Sequence, residues 1–453
     1  MLKSINPHDP SDVIFEFEPA GSEGVHRAVA AGAAAFEEWS ARSAAERGAA
    51  LLGIGAEIER RAEELTELTV REVGKPVGEA KGEVARAMAI CRYYSQMVLG
   101  PDGETYPASD RKSWLIARRH PLGVCALITP WNFPIAIPIW KAIPAVGYGN
   151  AVVLKPAPQS SAIADVLAEI FHSCVPPGVF QLTHGDAETG RSLVDHEDVA
   201  AVSFTGSVTV GHEVAARAAA RGAKTQCEMG GQNPSIVLRD ADLEAAAKTI
   251  AGAAMGYAGQ KCTATSRIIV EAPVYEEFRD RLVAEVEALE VVDPTREACR
   301  VGPLIEEEAV QQATDALGSG GRTLVGGKRL DASGFYLQPA LVEVEDRSHV
   351  LARREVFAPV AAVMRAEDRD QAVEIANGVR YGLVAAVFTQ DLAGVLDVSG
   401  RLEAGLVRAN APTSGVDFHV PFGGIKGSSI GPREQGLAAR DFYTESRTLL
   451  ISP

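Results

Sequence analysis

From residue 122 onward, short apolar segments alternate with segments of helical period. The predicted strands of this first region are Val124–Ile128, Ala151–Leu154, Val179–Leu182, Ala200–Phe204 and Thr225–Cys227, and the predicted helices lie near 136–147, 160–173, 187–195 and 208–220. Short apolar strands joined by helices of this length are typical of a parallel, doubly wound sheet. Such sheets bind ligands where loops leave the carboxyl ends of the strands, so functional residues are expected there.

A second α/β region follows the first. Its predicted strands lie near 234–238, 267–271, 384–388 and 406–408, and its predicted helices near 242–257, 274–288, 306–318, 369–377 and 391–399. Residues 23–98 keep helical spacing, with a break at Gly74-Lys75-Pro76. The tail from 430 has no helical period, and its apolar end at 442–451 predicts a strand docked on another part of the protein.

Composition and charge exclude several classes of function. Forty-four basic and sixty acidic side chains give a net charge of −16 without a basic tract. This argues against nucleic acid and membrane partners, because both need a cationic face. The stretch from Pro121 to Trp140 is uncharged, but its prolines predict a buried strand, a loop and a helix start instead of a membrane helix. Six scattered cysteines without zinc spacing predict no metal site and indicate reduced thiols in the cytoplasm.

One cysteine lies in a polar, glycine-flanked loop, Gly259-Gln260-Lys261-Cys262-Thr263, just after the helix near 242–257. A cysteine in such a loop can serve as a nucleophile, whereas one in an apolar strand is usually inert because burial raises the pKa of its thiol. Taken alone, Cys262 is better explained as a small core residue, since most free cysteines are buried.

Two further polar residues stand where predicted strands end. Asn132, in Thr129-Pro130-Trp131-Asn132-Phe133-Pro134, is held by prolines and aromatic residues and could donate its amide to a developing oxyanion. Glu228 directly follows the strand Thr225–Cys227 and could act as a general base. A turn asparagine and a capping or salt-bridged glutamate are the plainer alternatives.

Two other features are suited to a phosphate or a ribose. Thr205-Gly206-Ser207 leads from the strand Ala200–Phe204 into a helix, where backbone N–H groups and the helix dipole can face an anion. Lys155, at the end of the strand Ala151–Leu154, could bond ribose hydroxyls or a 2′-phosphate. By themselves, these residues are more commonly a simple helix cap and a solvated loop lysine.

In combination, these segments resemble the aldehyde dehydrogenase superfamily over nearly the whole chain and in the same order. The resemblance is carried by TPWNFP at 129–134, Lys155-Pro156, FTGS at 204–207, EMGG at 228–231, GQKC at 259–262, EVFAP at 355–359, Arg408-Ala409-Asn410 and PFGG at 421–424. Met229 replaces a usual leucine and Ala358 a usual glycine, and neither change touches an atom that the chemistry needs.

The resemblance implies an α/β, aldehyde dehydrogenase-like fold in three parts. These are a doubly wound parallel-sheet cofactor-binding domain at 1–99 and 119–228, a second α/β catalytic domain at 229–428, and a small β oligomerisation element at 100–118 and 429–453. The extended segments at 111–117 and 442–451 would leave open sheet edges in a monomer. A homodimer or homotetramer is therefore expected.

The resemblance also implies a role for each polar residue. Cys262 attacks the aldehyde carbon, Asn132 and the Cys262 N–H hold the oxyanion, and Glu228 activates the water that releases the carboxylic acid. Relatives that pass the acyl group to coenzyme A generally lack the glutamate that stands here as Glu228, so its presence favours hydrolysis. An acylating, CoA-dependent enzyme and a non-catalytic structural member of the fold are the alternatives.

The cofactor implied by the resemblance is NAD or NADP, with Glu355 on the nicotinamide ribose. The expected cofactor contacts are Ile128, Pro130, Trp131, Lys155, Ser161, Gly206, Ser207, Val210, Met229, Gly230, Glu355 and Phe357. Many NAD-preferring relatives carry a glutamate three residues after the lysine, where this chain has Pro158. With hydroxyls at Ser160 and Ser161 beside Lys155, a 2′-phosphate is tolerated, and both cofactors are expected to be used.

The small-molecule aldehyde is the least constrained part of the interpretation. Residues 410–422, 426–429 and 433–436 resemble the 2-oxoglutarate semialdehyde (2,5-dioxopentanoate) dehydrogenases. That semialdehyde is therefore the first choice, and an unsubstituted short or medium aliphatic aldehyde is the second. The expected substrate contacts are Phe133, Trp140, Lys261, Thr263 and Phe422. Trp140 stands where relatives that oxidise succinate semialdehyde often have an arginine, which leaves Arg92, Lys261 and Ser414 as candidates to meet a carboxylate.

Overall fold

The structure, a computed structural model, describes all 453 residues. The α-helices are α1 Gly21–Ala41, α2 Ala44–Arg60, α3 Ala62–Val73, α4 Val77–Met97, α5 Ala136–Gly147, α6 Ser161–Cys174, α7 Ala187–Asp195, α8 Val208–Ala220, α9 Leu243–Met255, α10 Tyr275–Glu287, α11 Glu307–Leu317, α12 Val350–Arg353, α13 Arg369–Asn377, α14 Leu392–Arg401 and α15 Gly436–Tyr443. The strands are β1 Leu2–Ile5, β2 Val13–Phe17, β3 Gly103–Tyr106, β4 Trp114–Pro121, β5 Val124–Ile128, β6 Ala151–Lys155, β7 Phe180–Leu182, β8 Val199–Thr205, β9 Lys224–Glu228, β10 Asn233–Val237, β11 Thr265–Glu271, β12 Arg322–Val325, β13 Ala340–Glu343, β14 Val360–Ala366, β15 Val384–Phe388, β16 Leu406–Ala409, β17 Ser429–Ile430 and β18 Thr444–Ile451.

A six-stranded sheet, in the order β17-β9-β8-β5-β6-β7, carries helices on both faces. Strands β5 to β9 run parallel, and β17 pairs antiparallel to β9, with Ser429 opposite Glu228. The apolar sides of α2, α4, α5 and α6 are buried on one face, and those of α1, α7 and α8 on the other. Because β5 and β6 are buried along their whole length, they read as nearly continuous apolar runs.

A seven-stranded sheet, in the order β12-β13-β14-β11-β10-β15-β16, forms the centre of the second α/β region. All neighbouring strands are parallel except β12 and β13, which pair antiparallel at one edge. A cluster of 47 buried apolar residues forms its core. The site described below is supplied by loops that leave the carboxyl ends of the six-stranded sheet and by loops that enter the amino ends of β10, β11 and β14 in this sheet.

Two small antiparallel sheets complete the fold. β1 pairs with β2, and β18 pairs with β4, which in turn pairs with β3. The three-stranded sheet leaves several large apolar side chains exposed, among them Trp114, Leu449, Leu450 and Ile451. Such a contiguous apolar strand is unusual for a surface that faces only water.

The doubly wound sheet predicted from the sequence is confirmed, and β5, α5, α7 and α8 have the predicted bounds. The β1–β2 hairpin and the strands β12, β13 and β14 had no clear sequence signal and were not predicted. The long helical segment before the Gly74 break is divided at Arg61 into α2 and α3. Tertiary packing decides the structure in these cases. Most of the strands are short, and α2 and α3 share one helical period of apolar residues, so the sequence does not show where one helix ends and the next begins.

The expectation that the tail from 430 lacks a helix is wrong. Helix α15 spans only eight residues and has no side-chain cap. Gln435 and Gly436, at its start, both adopt positive φ. The helix buries Ala439, Phe442 and Tyr443 in the core next to α5, so packing stabilises a segment too short to signal a helix by itself. None of the helices combines the length and the apolar character needed to cross a membrane.

Candidate active site

Asn132, Glu228 and Cys262 converge between the two large sheets. Asn132 lies in the loop after β5, Glu228 ends β9, and Cys262 lies between α9 and β11. The Asn132 Nδ2 donates to the backbone carbonyl of Gln260 at 3.0 Å, which links the asparagine loop to the cysteine loop. The side chains of Asn132 and Glu228 are buried, and that of Cys262 is half-buried.

The loop that carries Cys262 is held by buried hydrogen bonds and by strained backbone. Tyr257 and Ala258 both adopt left-handed φ, at 54° and 52°, which non-glycine residues adopt only where the surroundings enforce it. The fully buried amide of Gln260 bonds the carbonyls of Tyr257 and Pro303 and the N–H of Ile305. Asn233 Nδ2 donates to the carbonyl of Cys262 at 2.8 Å. The loop is therefore pre-organised and not free to adjust.

The surroundings of the Cys262 thiol disfavour its thiolate form. The side chain packs beside an apolar cluster that includes Val416 and Phe422. Burial raises the pKa of the Cys262 thiol, and the nearby carboxylates of Glu355 and Glu228 raise it further. A thiol in this state needs a base, a bound ligand or a higher pH before it can attack a substrate.

The Asn132 amide has unused hydrogen-bonding capacity. One hydrogen of its NH2 group is given to Gln260, and the Oδ1 atom is buried without a partner. A buried amide without all its partners costs free energy unless a ligand or water completes it. The second N–H is therefore available to an oxygen placed near Cys262.

A buried ion pair fixes the loop next to Asn132. Lys75 Nζ donates to Glu83, and both side chains are almost completely buried. The other Glu83 oxygen accepts from the backbone N–H groups of Ile135 and Ala136, each at 2.8 Å, at the start of α5. The Lys75 ammonium lies over the rings of Phe133 and Tyr257, 4.0 and 4.8 Å from their centroids. One cation thus contacts both loops of the site.

The Glu228 carboxylate has one oxygen bonded within the protein and one without a partner. Its Oε2 accepts a hydrogen bond from Ser429 Oγ at 2.6 Å, while Oε1 is buried and has no partner. A Cβ atom on Gly423 would lie 2.6 Å from Oε1, so glycine is needed at 423 to give the carboxylate room. Burial raises the pKa of Glu228 well above its ordinary value, and the nearby Glu434 adds to this.

Glu434 belongs to a buried polar network that the sequence analysis missed. Lys141 Nζ donates to Glu434 and to Ser203 Oγ, and Trp140 Nε1 donates to Glu434 Oε2 at 2.8 Å. The network lies close to Glu228, and the charge of Glu434 raises the pKa of the Glu228 carboxyl. An acidic residue in Arg433-Glu434-Gln435-Gly436 gave no signal of burial, because charged residues are normally exposed.

The start of α8 fits a dinucleotide phosphate. Ser207 caps the helix by accepting from the Val210 N–H at 3.4 Å, and Gly206 N–H donates to the carbonyl of Glu228. The hydroxyl of Thr205 is buried and unpartnered. The first N–H groups of a helix have no partners within the helix. Val210 is exposed beside them, and Met229 packs under Gly211, where a Cβ atom would lie 2.4 Å from its sulfur.

Lys155 and its neighbours form the other side of this crevice. The Lys155 ammonium is buried and donates to the carbonyls of Pro156 and Gly185, both at 2.8 Å, which leaves one hydrogen for a ligand. Burial lowers the pKa of Lys155 to about 8. The structure corrects the expectation for Ser161: its side chain is fully buried, and its hydroxyl donates to Pro158. Ser160 is similarly turned toward Ala157.

Glu355, the residue expected to contact a nicotinamide ribose, reaches the Gly230-Gly231 turn. Its Oε1 accepts from the Gly231 N–H at 3.1 Å, and a Cβ atom on Gly230 would lie 1.8 Å from Oε2. Burial raises the pKa of Glu355 to about 7, against the effect of the Gly231 hydrogen bond. Phe357, with a φ of 58°, meets Trp131 edge to face at 5.7 Å. Ile128 and Pro130 adjoin this group at the end of β5.

The expected substrate contacts separate into two groups. Phe133 is a half-buried aromatic residue packed on the core, Trp140 and Phe422 pack together with ring centroids 5.9 Å apart, and Thr263 is buried beside Cys262. The Lys261 ammonium instead forms an ion pair with Glu79 at 2.7 Å. Arg92 is exposed and pairs with Glu59 at 2.8 Å. Neither is a free cation for a substrate carboxylate, which corrects the expectation for both.

Comparison with known proteins agrees with this arrangement. The family model described as "Aldehyde dehydrogenase family" matches residues 1–449. The chain is 40% identical over 463 residues to the alpha-ketoglutaric semialdehyde dehydrogenase of Bacillus subtilis (strain 168), covering 100% of this chain and 95% of that protein. It is 34% identical over 454 residues to the 2,5-dioxopentanoate dehydrogenase of Saccharolobus solfataricus, covering 98% and 95%.

Among solved structures, the chain resembles the NAD-dependent aldehyde dehydrogenase from Sinorhizobium meliloti, with a TM-score of 0.97 and 31% identity. The match covers 100% of this chain and 91% of that one. The expected fold and chemistry are thereby confirmed at the level of the family. The chain belongs to the aldehyde dehydrogenase family, and it is an enzyme that oxidises an aldehyde to its carboxylic acid with NAD(P) as hydride acceptor.

Proposed function

We propose that Cys262 is the nucleophile, Asn132 an oxyanion donor and Glu228 the base that activates water. The observation that carries this proposal is the convergence of the three side chains between the sheets, with the Asn132 amide joined to the Cys262 loop through Gln260. The unpartnered Oε1 of Glu228 adds an acceptor that no protein group uses.

The proposed reaction has two chemical stages. The Cys262 thiol gives its proton to water, and its sulfur adds to the aldehyde carbon, which gives a thiohemiacetal whose oxygen accepts from Asn132 Nδ2 and the Cys262 N–H. Loss of a hydride from that carbon leaves a thioester. NAD(P), when bound, supplies the acceptor for this hydride. Glu228 then takes a proton from water as the water attacks the thioester, and the carboxylic acid leaves with return of the thiol.

The residues proposed to hold the cofactor follow from the same geometry. The N-terminus of α8 with Gly206 and Ser207 faces the phosphates, Lys155 faces a ribose, and Glu355 faces the ribose next to the nicotinamide. Hydrolysis of the thioester, not transfer to coenzyme A, is favoured because Glu228 is present and its Oε1 has no partner in the protein. Addition of coenzyme A is expected to give no acyl-CoA; its appearance would favour the acylating alternative.

We propose 2-oxoglutarate semialdehyde as the substrate. Support comes from the names of relatives at 40% and 34% identity over nearly the whole chain. The expected result is a higher kcat/KM for this semialdehyde than for hexanal, measured by NAD(P)H absorbance at matched concentrations. A clear preference for hexanal would favour the unsubstituted aliphatic aldehydes instead.

For the cofactor, we expect activity with both NAD and NADP. No carboxylate stands at Pro158 to repel a 2′-phosphate, and the Lys155 ammonium has one hydrogen to donate. Since the pKa of Lys155 is lowered to about 8, its positive charge is complete below pH 8 and is lost above it. The ratio of kcat/KM for NADP to that for NAD should therefore fall as pH rises through 8. A preference for NAD of more than about a hundredfold, or ~2.7 kcal/mol, at pH 7 would contradict this.

For assembly, we propose a homodimer or homotetramer in which the three-stranded sheet meets another copy. The exposed apolar side chains at Trp114 and 449–451 support this. We also propose three domains: a cofactor-binding domain at 1–99 with 119–228, a catalytic domain at 229–428, and an oligomerisation element at 100–118 with 429–453. Because all six cysteines are unpaired, we propose the cytoplasm as the compartment. Light scattering at micromolar concentration should give at least twice the chain mass, and a compact monomer would count against the assembly.

A further inference from the structure

Arg86 on α4 is a half-buried arginine without a counter-ion. The buried face of α4 includes Glu83, Ala87 and Ile90, and Arg86 lies at the edge of this face. Its Nε is buried and has no hydrogen-bond partner, and the side chain joins no ion pair. Burial lowers the pKa of Arg86. A buried, uncompensated cation weakens the folded state, so its presence calls for a ligand or a partner.

The two acids nearest to Arg86 do not neutralise it. They are Glu83 and Asp417. Glu83 is already fully engaged, because Lys75 donates to one of its oxygens and the N–H groups of Ile135 and Ala136 donate to the other. Asp417 is exposed and too far away to form an ion pair with Arg86. The Arg86 guanidinium thus keeps both its charge and its donors for another anion.

Both acidic neighbours of Arg86 belong to segments that reach the region around Cys262. Glu83 holds the start of α5, directly after Asn132 and Phe133. Asp417 follows Val416, which packs in the same apolar cluster as Phe422 and Cys262. Arg86 therefore lies near both the segment that carries Phe133 and the segment that carries Val416.

Most other cations around the site have acidic partners. Lys141 pairs with Glu434, Lys261 with Glu79 and Arg92 with Glu59. Arg433 has no ion pair, but its side chain packs against Gly423 beside Glu228, at the reacting end of the site. An anionic substrate that extends away from Cys262 would meet Arg86 and not Arg433.

We propose that Arg86 binds the carboxylate of a short linear aldehyde acid whose aldehyde carbon reaches Cys262. This inference rests on the proposed substrate, 2-oxoglutarate semialdehyde, and names the residue that selects it. The planar guanidinium can bind a carboxylate through two parallel N–H···O bonds, which fixes the orientation of the substrate as well as its charge.

The test compares Arg86→Met and Arg86→Lys with Arg92→Met, a matched control on the same helix whose arginine is exposed and paired. Arg86→Met should lower kcat/KM for 2-oxoglutarate semialdehyde about thirtyfold to a hundredfold, mainly through KM, and change hexanal by less than about threefold. Arg86→Lys should lose about tenfold, because the charge stays and the paired geometry is lost. Arg92→Met should match the wild type with both aldehydes. The Tm of Arg86→Met should not fall, since the cation has no partner in the protein.

A second measurement separates this proposal from the choice of substrate. Glutarate, which carries the carboxylate but no aldehyde, should inhibit hexanal oxidation competitively, and Arg86→Met should weaken that inhibition at least about tenfold. If wild-type enzyme prefers hexanal while glutarate inhibition still depends on Arg86, the named substrate is wrong and the carboxylate site stands. If Arg86→Met leaves both the semialdehyde and glutarate unchanged, or if Arg433→Met alone abolishes glutarate inhibition, the Arg86 site is overturned.

Discussion

Cys262→Ala is expected to abolish aldehyde oxidation, with a loss in kcat of more than about 10⁴-fold. The sulfur forms the bond on which both proposed stages depend, and no other cysteine lies in the same loop. The measurement is NAD(P)H formation at saturating aldehyde, together with labelling of the wild-type thiol by iodoacetamide and its protection by substrate. Fluorescence titration with NAD(P)H should give a similar Kd for both proteins, because the substitution leaves the crevice at α8 intact.

The matched control for this change is Cys174→Ala. Cys174 is the other cysteine that is not fully buried, and it lies at the end of α6, away from Asn132 and Glu228. It should keep wild-type kcat and KM, as should alanine at the buried Cys91, Cys125 and Cys299. Cys227 is less suitable as a control because it adjoins Glu228 in β9. Substantial activity in Cys262→Ala would disprove the covalent mechanism.

The sequence predicted the framework of the site well because backbone pattern and side-chain chemistry agreed there. Asn132 and Glu228 were found as polar residues at the ends of apolar strands, and the structure places both at the carboxyl edge of one parallel sheet. The order of that sheet could not be read from the pattern, since β17 joins it from the far end of the chain beside β9. That pairing brings Ser429 to Glu228.

Residues that act through buried charge could not be recognised from the sequence. Lys75 was read only as part of a helix break, although its ammonium is buried between Phe133 and Tyr257. Arg86 has the spacing of an ordinary solvated helix residue, and Glu434 lies in a polar segment. Charged residues are mostly exposed, so burial of these three depends on long-range packing. Ser161 shows the opposite error, because its position near Lys155 in sequence suggested a ligand contact. In the structure its hydroxyl donates to the carbonyl of Pro158 within the turn.

Glu228→Gln is expected to slow thioester hydrolysis far more than formation of the thioester. Glutamine keeps the size of the side chain and can still accept from Ser429, but it cannot take a proton from water. A pre-steady-state burst of NAD(P)H close to one equivalent per Cys262 should remain, followed by turnover that is about 10²–10⁴-fold slower. Stopped-flow absorbance measures both phases in one experiment. Equal slowing of the burst and the steady state would mean that Glu228 generates the thiolate instead.

The rate of the hydrolytic phase is expected to rise with pH. Burial and the Glu434 charge raise the pKa of Glu228, so the reactive carboxylate is scarce at low pH and its fraction grows as pH rises. The wild-type steady-state rate should increase as pH rises above the range in which an ordinary glutamate titrates, while that of Glu228→Gln should lose this dependence. Ser429→Ala removes a hydrogen bond that stabilises the carboxylate, which raises the pKa of Glu228 further and should move the wild-type profile to higher pH. A profile that shifts the other way, or a glutamine variant that keeps the full wild-type rise, would show that another group controls the attack of water on the thioester.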